Sequence, residues 1–522
     1  MASAAEGTGV MSGASRAAAE LLSPGILDVF PGRGSGSFSP VARYVGTATM
    51  FIGMAAFVPL AVLWIRPDEV SFAPCFIFPG LCAMALGYLL RFATEKAARG
   101  FRLSRRQAAV CTFLVWLLAT VVYGAPFVMG GLLTPDQAFF EAASGLTTTG
   151  LSVVDVGSCP DIFLFHRSLT CYLGGVGLVL ILTCVVTQTG GLGVYNAEGH
   201  TDHLLPSTAK TARLILLIYT GIIAAGAAAY VAAGMTPFDA INISMCAVST
   251  AGFATHPESL AFWQSPLIEF ITIVLMIAGG MNFLLLFLLL ERKFKAFLTH
   301  IETPLYFGII AMATVVVSTF FLVQGVSADA GQAFREGVFQ VVSVLTSTGF
   351  QTIPSFVDLG PALLFVFMLL MFCGAEARST SGGIKVYRVA VASLGLSQSL
   401  RRQYGSNRIT SIKINRFGKR SVLTDAEVSE AQTFVALYLL VFAAGTFLFI
   451  LCGATLQEAA FDFASCLGNA GVGTGFLNSA SGPAPLIIGA LGMLLGRLEI
   501  IPMFVGASAL LSFAVGGVRH GR

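Results

Sequence analysis

The chain has 522 residues, of which 56% are hydrophobic and only 11% charged. Soluble domains carry about 25% charged residues, so this composition excludes an ordinary water-soluble protein and points to a polytopic membrane protein. The formal net charge of +3 is small and gains meaning only when it is resolved loop by loop.

Residues 1–40 are Gly/Ser/Ala-rich and lack the apolar core of a signal peptide. They are expected to form a flexible cytoplasmic tail. From residue 43 onward, apolar runs of about 20 residues recur, each long enough to cross roughly 30 Å of hydrocarbon as a helix. Ten spans are predicted, near 43–66, 71–92, 108–130, 162–187, 212–234, 265–290, 304–324, 361–393, 430–452 and 483–515. The basic segments 91–106, 291–295 and 401–420, with Arg519 and Arg522, all fall on one side of ten spans. By the positive-inside rule that side is the cytoplasm, and both termini lie there. The ten cysteines have no paired spacing and read as small buried hydrophobes.

Within each of the last four helix pairs lies a segment too short to span: 136–150, 238–252, 334–349 and 457–471. Each reads as a helix of about three turns followed by a glycine, a re-entrant segment on the non-cytoplasmic side. Aligned on their last residues, Gly150, Gly252, Gly349 and Gly471 coincide. Six positions earlier stand Ser144, Cys246, Ser343 and Ser465, all small; two positions earlier stand Thr148, Thr250, Ser347 and Asn469, all polar.

The repeat fixes the symmetry. Each copy crosses the membrane twice, so all four share one orientation and are related by an axis along the membrane normal. Four glycine turns then surround one axis as a pore of pseudo-fourfold symmetry. Non-helical backbone at membrane depth is tolerated only in protein or beside a wet cavity. Extended backbone there can turn carbonyl oxygens inward to replace the hydration shell of a cation. Glycine suits such a turn because it accepts positive φ and close approach. The short helices direct their C-terminal ends at the axis, which favours positive charge. The glycine turns themselves contain no acidic residue. The expected cation-contacting residues are Thr148, Thr149, Gly150 and Leu151; Thr250, Ala251, Gly252 and Phe253; Ser347, Thr348, Gly349 and Phe350; and Asn469, Ala470, Gly471 and Val472.

The fold expected is therefore an all-α membrane protein: four parallel helix–pore helix–helix repeats around a central pore, plus two N-terminal transmembrane helices. The chain divides into a tail (1–40), two additional helices with their basic loop (41–106) and repeats at 107–200, 201–298, 299–425 and 426–522. The third repeat carries the cytoplasmic loop. Its second helix is expected to break at "CGAEARSTSGGIK" (373–385), where glycines, Ser and Thr cannot hold a stiff helix.

"FFEAASGLTTTG", "DAINISMCAVSTAGFATH", "LTSTGFQT" and "GNAGVGTG" resemble the four pore loops of the Trk/Ktr/HKT superfamily of potassium transporters. "YLGGVGLVL", "GGIKVYR" and "LLGRLEI" strengthen the likeness, which covers about residues 43–520 and is greatest to the TrkH type. The resemblance implies potassium uptake through a selectivity filter in a bacterial cytoplasmic membrane. It also implies a homodimer and a cytoplasmic nucleotide-binding regulatory ring of the TrkA type. Potassium is the implied bound ion, with no organic cofactor in this chain, no enzymatic activity and no nucleic-acid partner. Glycine at all four filter positions goes with potassium preference in that superfamily. An alternative is the potassium-binding subunit of an ATP-driven pump, or a sodium-coupled or less selective alkali-cation transporter.

The resemblance also implies a gate below the filter, formed by an intramembrane loop at 373–385, with Gly382 and Gly383, and by Arg497 in the last span. The charged Glu376 and Arg378 depart from the small-residue pattern of that loop. Glu376 is expected to pair with Arg497, or else to sit with Arg378 in a wet vestibule. Arg497 could instead form a salt bridge with Glu499. His166 and Arg167 are placed at the outer end of a span, with no role. The group Glu198, His200, Asp202 and His203 reads as solvated charge rather than a metal site.

Overall fold

Four times along the chain, a long apolar helix is followed by a short helix buried on nearly every face. A computed structural model describes residues 39–94, 103–177, 208–353, 356, 359–404, 411–498 and 500–519. The 198–203 group lies outside these residues. The first pair of helices, α1 (Ser39–Ala55) and α2 (Ala73–Ala93), is linked by 3₁₀ turns. They touch through glycine: a Cβ at Gly53 would sit 2.6 Å from Gly80 O, and one at Gly46 would sit 2.7 Å from Gly87 O. Small residues permit this approach where lipid offers no hydrophobic drive.

The repeats follow. Repeat 1 contains α3 (Arg105–Met129), α4 (Pro135–Leu146) and α5 (Asp161–Val176). Repeat 2 contains α6 (Thr208–Ala232), α7 (Pro237–Ser249), α8 (Pro266–Gly280) and α9 (Phe283–Leu290). After the short α10 (Phe294–Leu298), repeat 3 contains α11 (Glu302–Val323), α12 (Ala330–Leu345), α13 (Pro361–Cys373) and α14 (Val386–Tyr404). Repeat 4 contains α15 (Asp425–Leu451), α16 (Leu456–Gly468), α17 (Pro483–Arg497) and α18 (Ile500–Arg519).

Among the described residues, six helices are long and apolar enough to span, and two bent pairs raise this to eight. The predicted 265–290 span is bent by 112° between α8 and α9, and 483–515 by 113° between α17 and α18. The predicted 361–393 span is broken between α13 and α14, as the glycines there require.

The short helices α4, α7, α12 and α16 are held at both ends. Helices of this length are marginal alone. At their starts, Gln137 accepts from Thr134 N, Thr236 Oγ1 from Asp239 N, Asp329 from Gln332 N, and Glu458 from Thr455 N. Four positions before each glycine, Leu146, Val248, Leu345 and Leu467 have no exposed surface. Burying each contributes about 1.5–3 kcal/mol. On the long helices, Leu217, Met312, Val323 and Leu440 are mostly exposed, as a lipid-facing surface demands.

A hairpin of β1 (Lys413–Arg416) and β2 (Lys419–Val422) docks on the segment before α11. Ile301 N donates to Asn415 O at 3.1 Å, and the His300 and Phe417 rings lie 4.8 Å apart. Glu302 N donates to His300 Nδ1 at 3.3 Å, which requires that nitrogen to be unprotonated. Burial, with the Arg378 and Arg416 guanidinium groups nearby, pushes His300 down to about 4. An unfolded imidazole titrates near about 6.5. Between these values the unfolded segment binds more protons than the folded one, so stability here rises with pH. Acidifying from about pH 7 to about pH 5 is expected to lower the amide-exchange protection factors of β1 and β2, taken relative to the intrinsic exchange rate at each pH, and His300→Gln to flatten that dependence. Equal protection at both pH values would exclude His300 as the clasp.

Candidate functional site

All four short helices end in the same way. The residue two before each glycine adopts the left-handed region: Thr148 at φ 56°, Thr250 at 54°, Ser347 at 55° and Asn469 at 53°. Two backbone bonds close each end. Thr149 N donates to Ser144 O at 2.8 Å, Ala251 N to Cys246 O at 2.9 Å, Thr348 N to Ser343 O at 2.8 Å and Ala470 N to Ser465 O at 2.9 Å. One residue earlier, Thr148 N reaches Gly145 O, Thr250 N reaches Ala247 O, Ser347 N reaches Val344 O and Asn469 N reaches Cys466 O. This is the Schellman pattern, normally closed by glycine. A side chain there costs roughly 1–2 kcal/mol, and β-branched residues rarely adopt it. Four such residues in one register are held by what surrounds them.

After that residue the four chains meet. A Cβ on Gly150 would run into the backbone of Gly252; one on Gly252 would lie 2.9 Å from Thr348 O; one on Gly349 would lie 2.6 Å from Ala470 O; one on Gly471 would run into Thr149 O. The ring thus closes in chain order, first repeat to fourth and back. Three carbonyl oxygens, those of Thr149, Thr348 and Ala470, lie where a neighbour's side chain would be. Gly150, Gly349 and Gly471 also have positive φ, whereas Gly252 does not. At Gly252 close approach alone demands glycine.

The small residues six before the glycines pin the turns. Ser144 Oγ accepts from Gly150 N at 3.1 Å, Ser343 Oγ donates to Phe350 O at 2.7 Å, and Ser465 Oγ accepts from Val472 N at 3.1 Å. A second set of pins holds the strand three residues beyond each glycine. Val153 N donates to Glu141 at 2.9 Å, Thr255 Oγ1 to Asp239 at 2.6 Å and Thr474 N to Asp462 at 2.7 Å, while Gln340 Nε2 donates to Thr352 Oγ1 at 3.2 Å. These carboxylates stand behind the turns, outside the residues proposed from sequence. The signal was present: Glu141, Gln340 and Asp462 all lie nine residues before a glycine.

Arg167 changes its reading. Arg167 and His166 are buried within the protein, and Arg167 has partners that give it a role. Arg167 Nε donates to Glu141 at 2.8 Å, its second nitrogen to Ser152 Oγ at 2.8 Å, and its guanidinium lies 4.1 Å from the Phe253 ring centroid. It therefore joins the first and second turns from behind.

The break between α13 and α14 places residues 374–385 directly under the ring. Gly382 N donates to Ser347 Oγ at 2.8 Å, and Thr250 Oγ1 lies 2.9 Å from Thr380 Oγ1. Gly382 and Gly383 are tightly enclosed, Gly382 against Gly468 O and Gly383 against Met371 O and Gly374. The expected pair of Glu376 and Arg497 is not formed. Arg497 donates to Thr380 O at 2.6 Å, Gly174 O at 2.8 Å and Gly175 O at 3.1 Å. Glu376 is fully buried and accepts from Asn282 N at 2.8 Å, at the bend between α8 and α9. Geometry explains the swap: the helix break exposes an orphan amide that a carboxylate can answer. Glu302 does the same for Ala377 N at 2.7 Å. Arg378 instead lines a cavity below the loop with Lys385, Arg388 and Arg497.

The Glu141–Arg167 pair sets up a measurable asymmetry. Removing one member of a buried pair costs about 3–5 kcal/mol, while replacing both by apolar groups is often close to neutral. Arg167→Met alone is expected to lower the detergent-solubilised melting temperature sharply, and Arg167→Met with Glu141→Met to recover part of the loss. Additive losses in the melting curves would mean that the two residues act separately.

The chain that builds this arrangement is similar in fold and sequence to known transport proteins. The crystal structure of the potassium transporter TrkH from Vibrio parahaemolyticus matches at a TM-score of 0.80 and 26% sequence identity, covering 90% of this chain and 98% of that one. The Trk system potassium uptake protein TrkH of Escherichia coli (strain K12) is 30% identical over 482 residues, 90% of this chain and 98% of its own. The Trk system potassium uptake protein TrkG of the same organism is 30% identical over 435 residues, 79% of this chain and 86% of its own. The TrkH family, described as a cation transport protein, matches residues 80–513. The chain belongs to the TrkH family of cation transport proteins.

Proposed function

We propose that this protein takes up potassium across the bacterial cytoplasmic membrane, with the four glycine turns as its selectivity filter. The filter comprises residues 148–151, 250–253, 347–350 and 469–472. One observation carries the reading: the four turns close on one another backbone to backbone, with a carbonyl oxygen at three of the four contacts. Dehydrating a cation requires such oxygens, and no side-chain charge is needed. Homologues named as potassium uptake proteins support potassium as the cargo.

Beneath the filter, loop 374–385 and Arg497 form the gate. Glu376 anchors the loop to the α8–α9 bend, Arg378 faces the cavity below, and Gly382 and Gly383 permit its tight fold. Arg497 draws three carbonyl oxygens and adds a like charge to the path. Two unit charges about 4 Å apart repel by about 4 kcal/mol at an effective dielectric of 20. The protein acts as a homodimer with a cytoplasmic nucleotide-binding ring, and both of its termini are cytoplasmic.

The test is growth of a potassium-uptake-deficient cell at low potassium. Wild type is expected to restore growth, and Gly150→Ser to reduce it and admit more sodium, because a side chain there meets both positive φ and the Gly252 backbone. Unchanged selectivity in Gly150→Ser would remove the first turn from the filter. No rescue by membrane-expressed wild type would overturn potassium uptake.

A further inference from the structure

Thr380 is fully buried and stands at the point where all four repeats reach the loop. From repeat 1, Thr148 Oγ1 donates to Thr380 O at 3.5 Å. From repeat 2, Thr250 Oγ1 lies 2.9 Å from Thr380 Oγ1. From repeat 3, Ser347 Oγ holds Gly382 N, two residues on. From repeat 4, Arg497 donates to Thr380 O at 2.6 Å. Three of these four side chains belong to the residues in the left-handed region, the most constrained positions of the turns. The fourth such residue, Asn469, donates to Thr149 Oγ1 and Met493 O instead, and Arg497 takes its place at the loop.

Each hydroxyl has one proton, and either can serve the Thr250–Thr380 contact. If Thr380 donates to Gly279 O at 3.0 Å or Val248 O at 3.3 Å, it accepts from Thr250; if Thr250 donates to Ser249 O, Thr380 donates to Thr250. The Thr250 hydroxyl has one other acceptor, Ser249 O at 2.7 Å. With the loop in place, Thr250 can hold its side chain on the loop; with the loop gone, only its own backbone remains. Ser347 loses its amide donor in the same movement.

We infer that Thr380 is a positioning residue that ties the shape of the glycine turns to the closed loop, so that displacing the loop also changes which cation the turns prefer. This rests on the turns being the filter and the loop the gate. In this arrangement closure and selectivity share hydrogen bonds. A loop that only blocks the path could be loosened without any change in ion preference.

The full-length protein in proteoliposomes allows the test, with potassium flux and the potassium-to-sodium permeability ratio measured on the same preparation. Thr380→Val keeps the shape and removes the hydroxyl. It is expected to raise potassium flux at least twofold and to lower the permeability ratio at least threefold, with Thr380→Ser restoring the wild-type ratio. Thr250→Val cuts the same bond from the turn, and the double variant is expected to show no further fall. Raised flux with an unchanged ratio in Thr380→Val overturns the coupling, as does a multiplicative fall in the double variant. Should Thr380→Val fail to fold, Thr250→Val with an unchanged ratio overturns it equally. Absence of potassium flux in the wild type overturns the transport reading itself, which separates the two failures.

Discussion

A backbone that leaves the helix inside a bilayer must find partners for its N–H and C=O groups within the protein or turn them to a wet cavity. Here that requirement arises four times around one axis, and most of the surrounding architecture answers it. The left-handed residue at the end of each short helix lets two amides return to the helix that precedes them. Serine hydroxyls then hold the next amides or carbonyls, and acidic or amide side chains hold the strand beyond. The charged residues in this region are therefore largely structural. Glu141, Asp239 and Asp462 accept bonds from the strands, and Arg167 offsets the buried charge of the first.

The repeats satisfy the same constraint unequally. The second has Cys246 where the others have serine, a weaker donor and acceptor. Its glycine does not take positive φ, and its strand is held from Asp239, four residues earlier than the corresponding acid or amide elsewhere. Its left-handed Thr250 bonds the loop directly, as Thr148 and Ser347 do in the first and third repeats.

Much of this was legible in the sequence because the repeat is strict. The alignment on Gly150, Gly252, Gly349 and Gly471 located the turns and the polar positions before them, and the Gly, Ser and Thr content of 373–385 located the helix break, since glycine and small polar residues signal local backbone directly. Arg167 escaped because a charge near the end of an apolar run looks like an interfacial residue until its partner, 26 residues away on α4, is folded against it. The pins at Glu141, Gln340 and Asp462 were in register but mixed in type. Their shared role is to accept or donate one bond at fixed height, which composition does not reveal. The bends at α8–α9 and α17–α18 had local signals, Gly279 and Gly280 before the first and Pro502 after the second, but a count of apolar residues reads the same straight or bent.

The failure of the expected Glu376–Arg497 pair is the most informative of these differences. Opposite charges in apolar surroundings suggest a salt bridge, but a broken helix supplies a competing demand. Leaving a buried amide unanswered costs about 1–3 kcal/mol, and an extended carboxylate can reach it without bringing a second charge out of water. Glu376 and Glu302 each take one such amide, at Asn282 and Ala377. Arg497 donates to backbone carbonyls of Thr380, Gly174 and Gly175, the same ligand type that a dehydrated cation seeks. The two acids thereby tie the loop to the α8–α9 bend and to the start of α11 through backbone amides, and the break in the helix is held without a Glu376–Arg497 ion pair.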